Sequence, residues 1–132
     1  MPTEVRSILD GTERLILLSI EGGGDGVPES TETSFHGFKI LGKTEPAGNE
    51  QQQLLRELYK GIEQGSSPKS CFEPRHGISA TRGSETVDLV ICFECAHIEV
   101  WGRQESLSLT SAAPADHFNA VLNRAGVPLA KP

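Results

Sequence analysis

Residues 71–95, CFEPRHGISATRGSETVDLVICFEC, hold all three cysteines of the 132-residue chain, with His76 among them and His97 two residues beyond. How this stretch folds decides what the rest of the chain can be. Residues 77–82 and 85–92 alternate or carry β-branched side chains on either side of Gly83-Ser84. A glycine first in a two-residue loop suits a type II′ turn, so the spacing predicts a β-hairpin. Folding there sets Arg82 against Glu85 and brings His76 opposite Ile91, with Cys92 its near neighbour; a turn one residue longer would set His76 directly opposite Cys92, and the sequence does not choose between the two registers. AHIEVW at 96–101 alternates again, with Ile98 and Val100 on one side and His97, Glu99 and Trp101 on the other. The hairpin thereby extends to a meander of three strands.

Outward from this meander, RLILLSIE at 14–21 is a short apolar run closed by Gly22-Gly23-Gly24, which reads as a buried strand. The loop that follows, to about Ser34, bears oxygen-rich side chains without the regular alternation of a calcium loop. FHGFKIL at 35–41 reads as a second strand. From Asn49 to Ile62, Leu54, Leu55, Leu58 and Ile62 share one helical face, with Asn49 as N-cap. Phe118, Val121, Leu122 and Ala125 define a C-terminal helix, with Pro114 near its start and Gly126 at its end. The final GVPLA is expected to pack back on the sheet. The fold class expected is therefore α+β, a single domain over residues 1–132: an antiparallel sheet of about five strands with two helices, residues 1–13 being poorly ordered.

Eighteen acidic against 12 basic residues give a formal charge of −6. A phosphate-backbone binder needs a clustered basic face, so no nucleic-acid partner is expected. The longest apolar run, Leu15 to Leu18, falls far short of the roughly 20 residues that span a bilayer, so no membrane insertion is expected. MPTEVRSILDGTER carries acidic residues where a signal peptide has a basic region, which reads as cytoplasmic; a periplasmic or secreted protein would require a signal peptide removed ahead of Met1. The expected partner is a small molecule or a protein of unspecified identity, and the sequence leaves the oligomeric state unknown.

Three cysteines allow at most one internal disulfide, which favours a reducing compartment or a metal over a disulfide framework. Cys71, His76, Cys92 and Cys95 form C-x4-H-x15-C-x2-C, the composition of a closed zinc site with three cysteines and one histidine. Such a site needs a turn at Cys92-Phe93-Glu94-Cys95, because in a straight strand the two cysteines point to opposite faces. His97 is an alternative nitrogen ligand. An oxygen-free set argues against magnesium and calcium, while copper suits thiolates as well as zinc does. Two other readings stand beside the metal. The cysteines can be small buried hydrophobes. Alternatively Cys71 is the nucleophile of a thiol enzyme, with His76 as base, Arg75 beside the thiolate, and Glu73 or Glu94 orienting the imidazole.

In CFEPRHGI, TVDLVICFEC, FHGFKILGKTE and AVLNRAGVPLA the chain resembles a family of small uncharacterised bacterial proteins with Cys-Phe-x-Pro-Arg-His-Gly and Ile-Cys-Phe-x-Cys motifs. The resemblance covers most of residues 35–130. It implies Cys71, Pro74, Arg75, His76, Gly77, Cys92, Phe93 and Cys95 as motif positions, and it implies no reaction. The function expected is a binding or accessory module whose hairpin ends in a metal or cysteine cluster, with the thiol enzyme as the alternative.

Overall fold

The computed structural model describes residues 1–21, 33–65, 67–70 and 72–131. Their elements run α1 (Thr3–Asp10), β1 (Arg14–Glu21), β2 (Ser34–Phe35), β3 (Phe38–Thr44), α2 (Asn49–Glu63), β4 (His76–Arg82), β5 (Glu85–Cys92), β6 (His97–Trp101), β7 (Ser106–Leu109) and α3 (Ala115–Arg124). The strands form one curled antiparallel sheet in the order β2-β3-β1-β4-β5-β6-β7.

The α+β class holds, and the element count among the described residues is corrected to seven strands and three helices. The stretch 35–41 divides because His36 and Gly37 both take positive φ, 51° and 90°. That is the signature of a type I′ turn, so β2 and β3 form a hairpin of their own. SLSL at 106–109 adds an edge strand against β6. Thr3–Asp10, expected to be poorly ordered, is a helix that buries Val5, Ile8 and Leu9 at the i, i+3, i+4 spacing of a single face. Asn49 is the first residue of α2 and not its cap; Gly48 holds the cap position without a side-chain bond.

Strand periodicity divides the buried residues between two faces. One face carries Leu15, Leu17, Ile78, Ala80, Val87, Leu89 and Ile91 beneath the three helices, with Leu54, Leu58, Phe118 and Leu122 packed on them. The other carries Leu18, Ile20, Phe35 and Val90, with Phe38, Phe72 and Trp101 alongside. The β2–β3 hairpin curls over this second face: His36 stacks on Trp101 with ring centroids 4.6 Å apart and bonds Asp88 at 2.9 Å. Phe35 can lie there because Gly77 has no side chain; a Cβ at Gly77 would meet the Phe35 ring at 2.6 Å.

α3 ends in a Schellman motif. Gly126, at φ 74°, donates to the Asn123 carbonyl at 3.0 Å, and Val127 donates to that of Leu122 at 2.9 Å. The reversal drives Val127 into the core, and the Pro128 carbonyl accepts from the Ser19 hydroxyl of β1 at 2.6 Å. The last segment thus packs back on the sheet, as its apolar composition suggests. No helix among the described residues is long and apolar enough to cross a membrane.

Candidate functional site

The β4–β5 hairpin has the register its turn dictates, Arg82 against Glu85 and His76 against Ile91. Gly83 takes φ 61° at the first loop position, as a type II′ turn requires. At its far end β5 reaches Cys92, which pairs with His97 of β6, and residues 93–96 make the turn between them. Ala96 sits there at φ 63°, a place glycine takes more readily.

This turn joins Cys92 and Cys95, which form a disulfide with Cα atoms 5.1 Å apart. The Cys95 N–H donates to Cys92 Sγ at 3.1 Å, and the Glu73 N–H donates to Cys95 Sγ at 3.4 Å. The Glu73 carbonyl oxygen lies 3.4 Å from Cys92 Sγ. A disulfide sulfur has no proton to give, so that contact becomes a hydrogen bond only when Cys92 is a thiol. Lys69 donates its backbone N–H to the Cys95 carbonyl at 2.9 Å. The chain on both sides of position 71 is therefore tied to Cys95. Cys71 itself, candidate ligand and candidate nucleophile, lies outside the described residues, as does the 22–32 part of the oxygen-rich loop.

His76 and Cys92 project to opposite faces, since His76 faces with Ile91 and Cys92 is the next residue along. His76 points to the helices and is 5% exposed. Its Nε2 lies 2.7 Å from Asn119 Oδ1, and its ring packs between Phe93 and Phe118. Burial holds its pKa below the usual imidazole range; the Asn119 bond opposes that shift, and the Arg75 charge adds to it. An amide oxygen can only accept, so Nε2 carries the proton. Arg75 bonds Glu94 at 2.8 Å. Glu94 thus holds Arg75, while Asn119 orients His76.

His97 lies across from Cys92 on the second face, its ring stacked on Phe72 at 4.6 Å. Its Nδ1 is 3.1 Å from the Cys95 carbonyl, an acceptor, so Nδ1 bears the proton and Nε2 keeps its lone pair. Among the described residues, no group of three or more His, Cys, Asp or Glu side chains is arranged to hold a metal ion.

A cavity of about 240 Å³ opens where these elements meet, lined by Ser19, Arg75, His76, Cys92, Glu94 and Asn119 among others. A larger one, about 350 Å³, lies beside α1 and residues 84–87 without a cysteine or histidine in its wall. Of these two, the smaller cavity is the one with Cys92 and His76 in its wall. Sequence reasoning misses Ser19 and Asn119. Ser19 is a small polar residue inside an apolar run, and Asn119 merely follows Phe118 on the core-facing helix.

Compared with protein-family models, curated proteins and solved structures, the chain matches none of them.

Proposed function

We propose that the protein is a small thiol–disulfide binding module in which Cys92 and Cys95 alternate between the disulfide and a dithiol. With Cys71, the dithiol makes a cysteine cluster that takes zinc. One observation carries this: each sulfur of the pair receives a backbone N–H, Cys92 from Cys95 and Cys95 from Glu73. N–H donors stabilise charge on sulfur, and the thiolate is the species that both exchange and metal ligation use. The ties from Lys69 and Glu73 to Cys95 support Cys71 as the third cysteine.

For the nitrogen ligand the geometry favours His97 over His76. His76 is engaged with Asn119 on the helix face, whereas His97 lies across from Cys92 with Nδ1–H on a carbonyl and Nε2 free to donate its lone pair. Orientation of one ring nitrogen by a backbone carbonyl is the usual support of a metal-ligating histidine. Zinc enters only after the disulfide opens, because a disulfide sulfur offers no thiolate.

The thiol enzyme is the second reading, favoured by the cavity that His76 and Arg75 share. A histidine held neutral by burial suits a general base. Elemental analysis with a thiol count, on protein purified and reduced without added metal and then loaded with zinc, separates the two. Near-stoichiometric zinc that is lost in Cys71→Ser, Cys92→Ser and His97→Ala, and kept in His76→Ala, supports the module. No zinc, with one rapidly alkylated Cys71 whose reactivity falls in His76→Ala, supports the enzyme.

A further inference from the structure

The cavity between β4 and α3 ends on a histidine with one ring nitrogen unused. His76 is 5% exposed and lies in the cavity wall. Its Nε2–H goes to Asn119 Oδ1 at 2.7 Å, and Asn119 is its only hydrogen-bond partner among the described residues. Nδ1 therefore has no partner, yet it is not one of the polar atoms sealed from solvent in that condition. The small surface that His76 keeps thus includes Nδ1, and the cavity is the space it opens on. Burial chiefly, with the Arg75 charge adding to it, holds the ring neutral at neutral pH, so Nδ1 presents a lone pair. Asn119 shares the wall. Its oxygen is committed to His76, while its two N–H groups have no acceptor among the described residues.

We propose that this cavity binds a small uncharged amide, whose N–H donates to His76 Nδ1 and whose carbonyl accepts from the Asn119 side chain. The site stands apart from the thiol–disulfide pair, because His76 and Asn119 meet on the helix face and Cys92 projects to the other. Nδ1 asks for a donor, and Asn119 asks for an acceptor. These two groups are separated by the imidazole and the side-chain amide they belong to, which a ligand with donor and acceptor on different atoms spans. An amide is such a ligand.

Charge narrows the choice to a neutral molecule. A cation would meet the Arg75 guanidinium, which is close enough to act on the His76 ring, and would find no free oxygen on Asn119. An anion would face the Nδ1 lone pair and the carboxylates of Glu73, Glu94 and Asp116 elsewhere on the wall. A volume of about 240 Å³ suits a molecule of a few heavy atoms, and Phe93 and Leu129 give its alkyl part an apolar surface. A small number of placed polar groups among apolar walls is the usual make-up of a small-molecule site.

The test titrates the oxidised full-length chain, uniformly labelled with nitrogen-15, with N-methylacetamide and with N,N-dimethylacetamide, which keeps the carbonyl and lacks the N–H. At neutral pH the first is expected to bind about fivefold more tightly, the worth of one hydrogen bond to a buried acceptor. The His76 Nδ1 resonance should move upfield as its lone pair accepts the N–H, while Nε2 stays in place. His76→Phe, which keeps a ring between Phe93 and Phe118, should bring the two amides to equal affinity, with the melting temperature reporting that it folds. Equal affinities in the parent or an unmoved Nδ1 resonance overturns the inference. So does binding that leaves His76 untouched and perturbs Val5 and Ile8 beside the larger cavity. These outcomes are read on the parent chain and stand whether or not His76→Phe folds.

Discussion

Cys92 stands opposite His97 as the last pair of the β5–β6 ladder, and this pairing closes the chain into the turn on which Cys92 meets Cys95. The disulfide spans a sequence separation of only 3. A loop so short removes little entropy from the unfolded chain, about 2 kcal/mol at most on the loop-closure relation. Reduction should therefore lower the stability of the folded chain by no more than that, as read from urea unfolding of the oxidised and reduced protein. By comparison, Leu89→Ala, which empties a fully buried position, should cost about 2 to 5 kcal/mol. A reduced protein that is unfolded in buffer would remove the dithiol form from the proposed cycle.

Ala96 occupies a left-handed conformation at the end of the same turn. An L-residue there is strained by roughly 1 to 2 kcal/mol, partly offset by the greater unfolded-state freedom of glycine. Ala96→Gly is expected to leave stability unchanged or raise it by up to about 1 kcal/mol. Ala96→Val should lower it, because a β-branched side chain resists positive φ. Equal denaturation midpoints for the two variants would mean that the turn does not depend on residue 96.

The buried imidazole of His76 makes stability depend on pH. Its pKa in the folded chain lies below the ordinary value of 6.5, chiefly through burial. In acid the unfolded chain therefore binds the proton that the folded chain refuses, and stability rises with pH wherever the unfolded state binds more protons. The contribution is fully present above about pH 6.5 and is lost as pH falls through the range below it, down to the folded pKa. Melting temperatures from pH 5 to 8 should show this slope in the parent protein. His76→Gln should flatten it while keeping a polar partner for Asn119.

Gly77 marks where the β2–β3 hairpin settles on the sheet. Because a Cβ there would meet the Phe35 ring at 2.6 Å, Gly77→Ala should cost about 1 to 3 kcal/mol by overpacking. Combining it with Phe35→Leu, which frees the space, should recover part of that loss in a double-mutant cycle. Strict additivity would show that the Phe35 ring does not rest on Gly77.

Much of the hairpin was legible in the sequence because its determinants are local. Gly83 can sit at positive φ and period-two alternation marks the two strands, whereas the register that sets His76 against Ile91 and not Cys92 comes from the structure. α2 and α3 were readable for the same kind of reason, through Leu54, Leu58, Phe118 and Leu122 on one stripe. The metal site requires a turn at 93–96, yet nothing in Phe93-Glu94 demands one, and position 96 carries alanine where such a turn favours glycine. Three features needed the tertiary structure. α1 is short, and its single apolar face gains stability only against β4 and β5. SLSL is too brief to distinguish from loop until β6 pairs with it. The partnership of His76 with Asn119 links residues 43 apart in sequence, and no spacing rule anticipates it.

The proposed function requires the Cys92–Cys95 pair to open and close while the chain stays folded. A redox titration of the intact protein with dithiothreitol in native buffer, counting alkylated thiols by mass and following far-ultraviolet circular dichroism at each step, measures this directly. Two further thiols should be released reversibly, mapped to Cys92 and Cys95, with the secondary-structure signal retained throughout. Thiols that emerge only as that signal collapses, or that never close again on reoxidation, would contradict it.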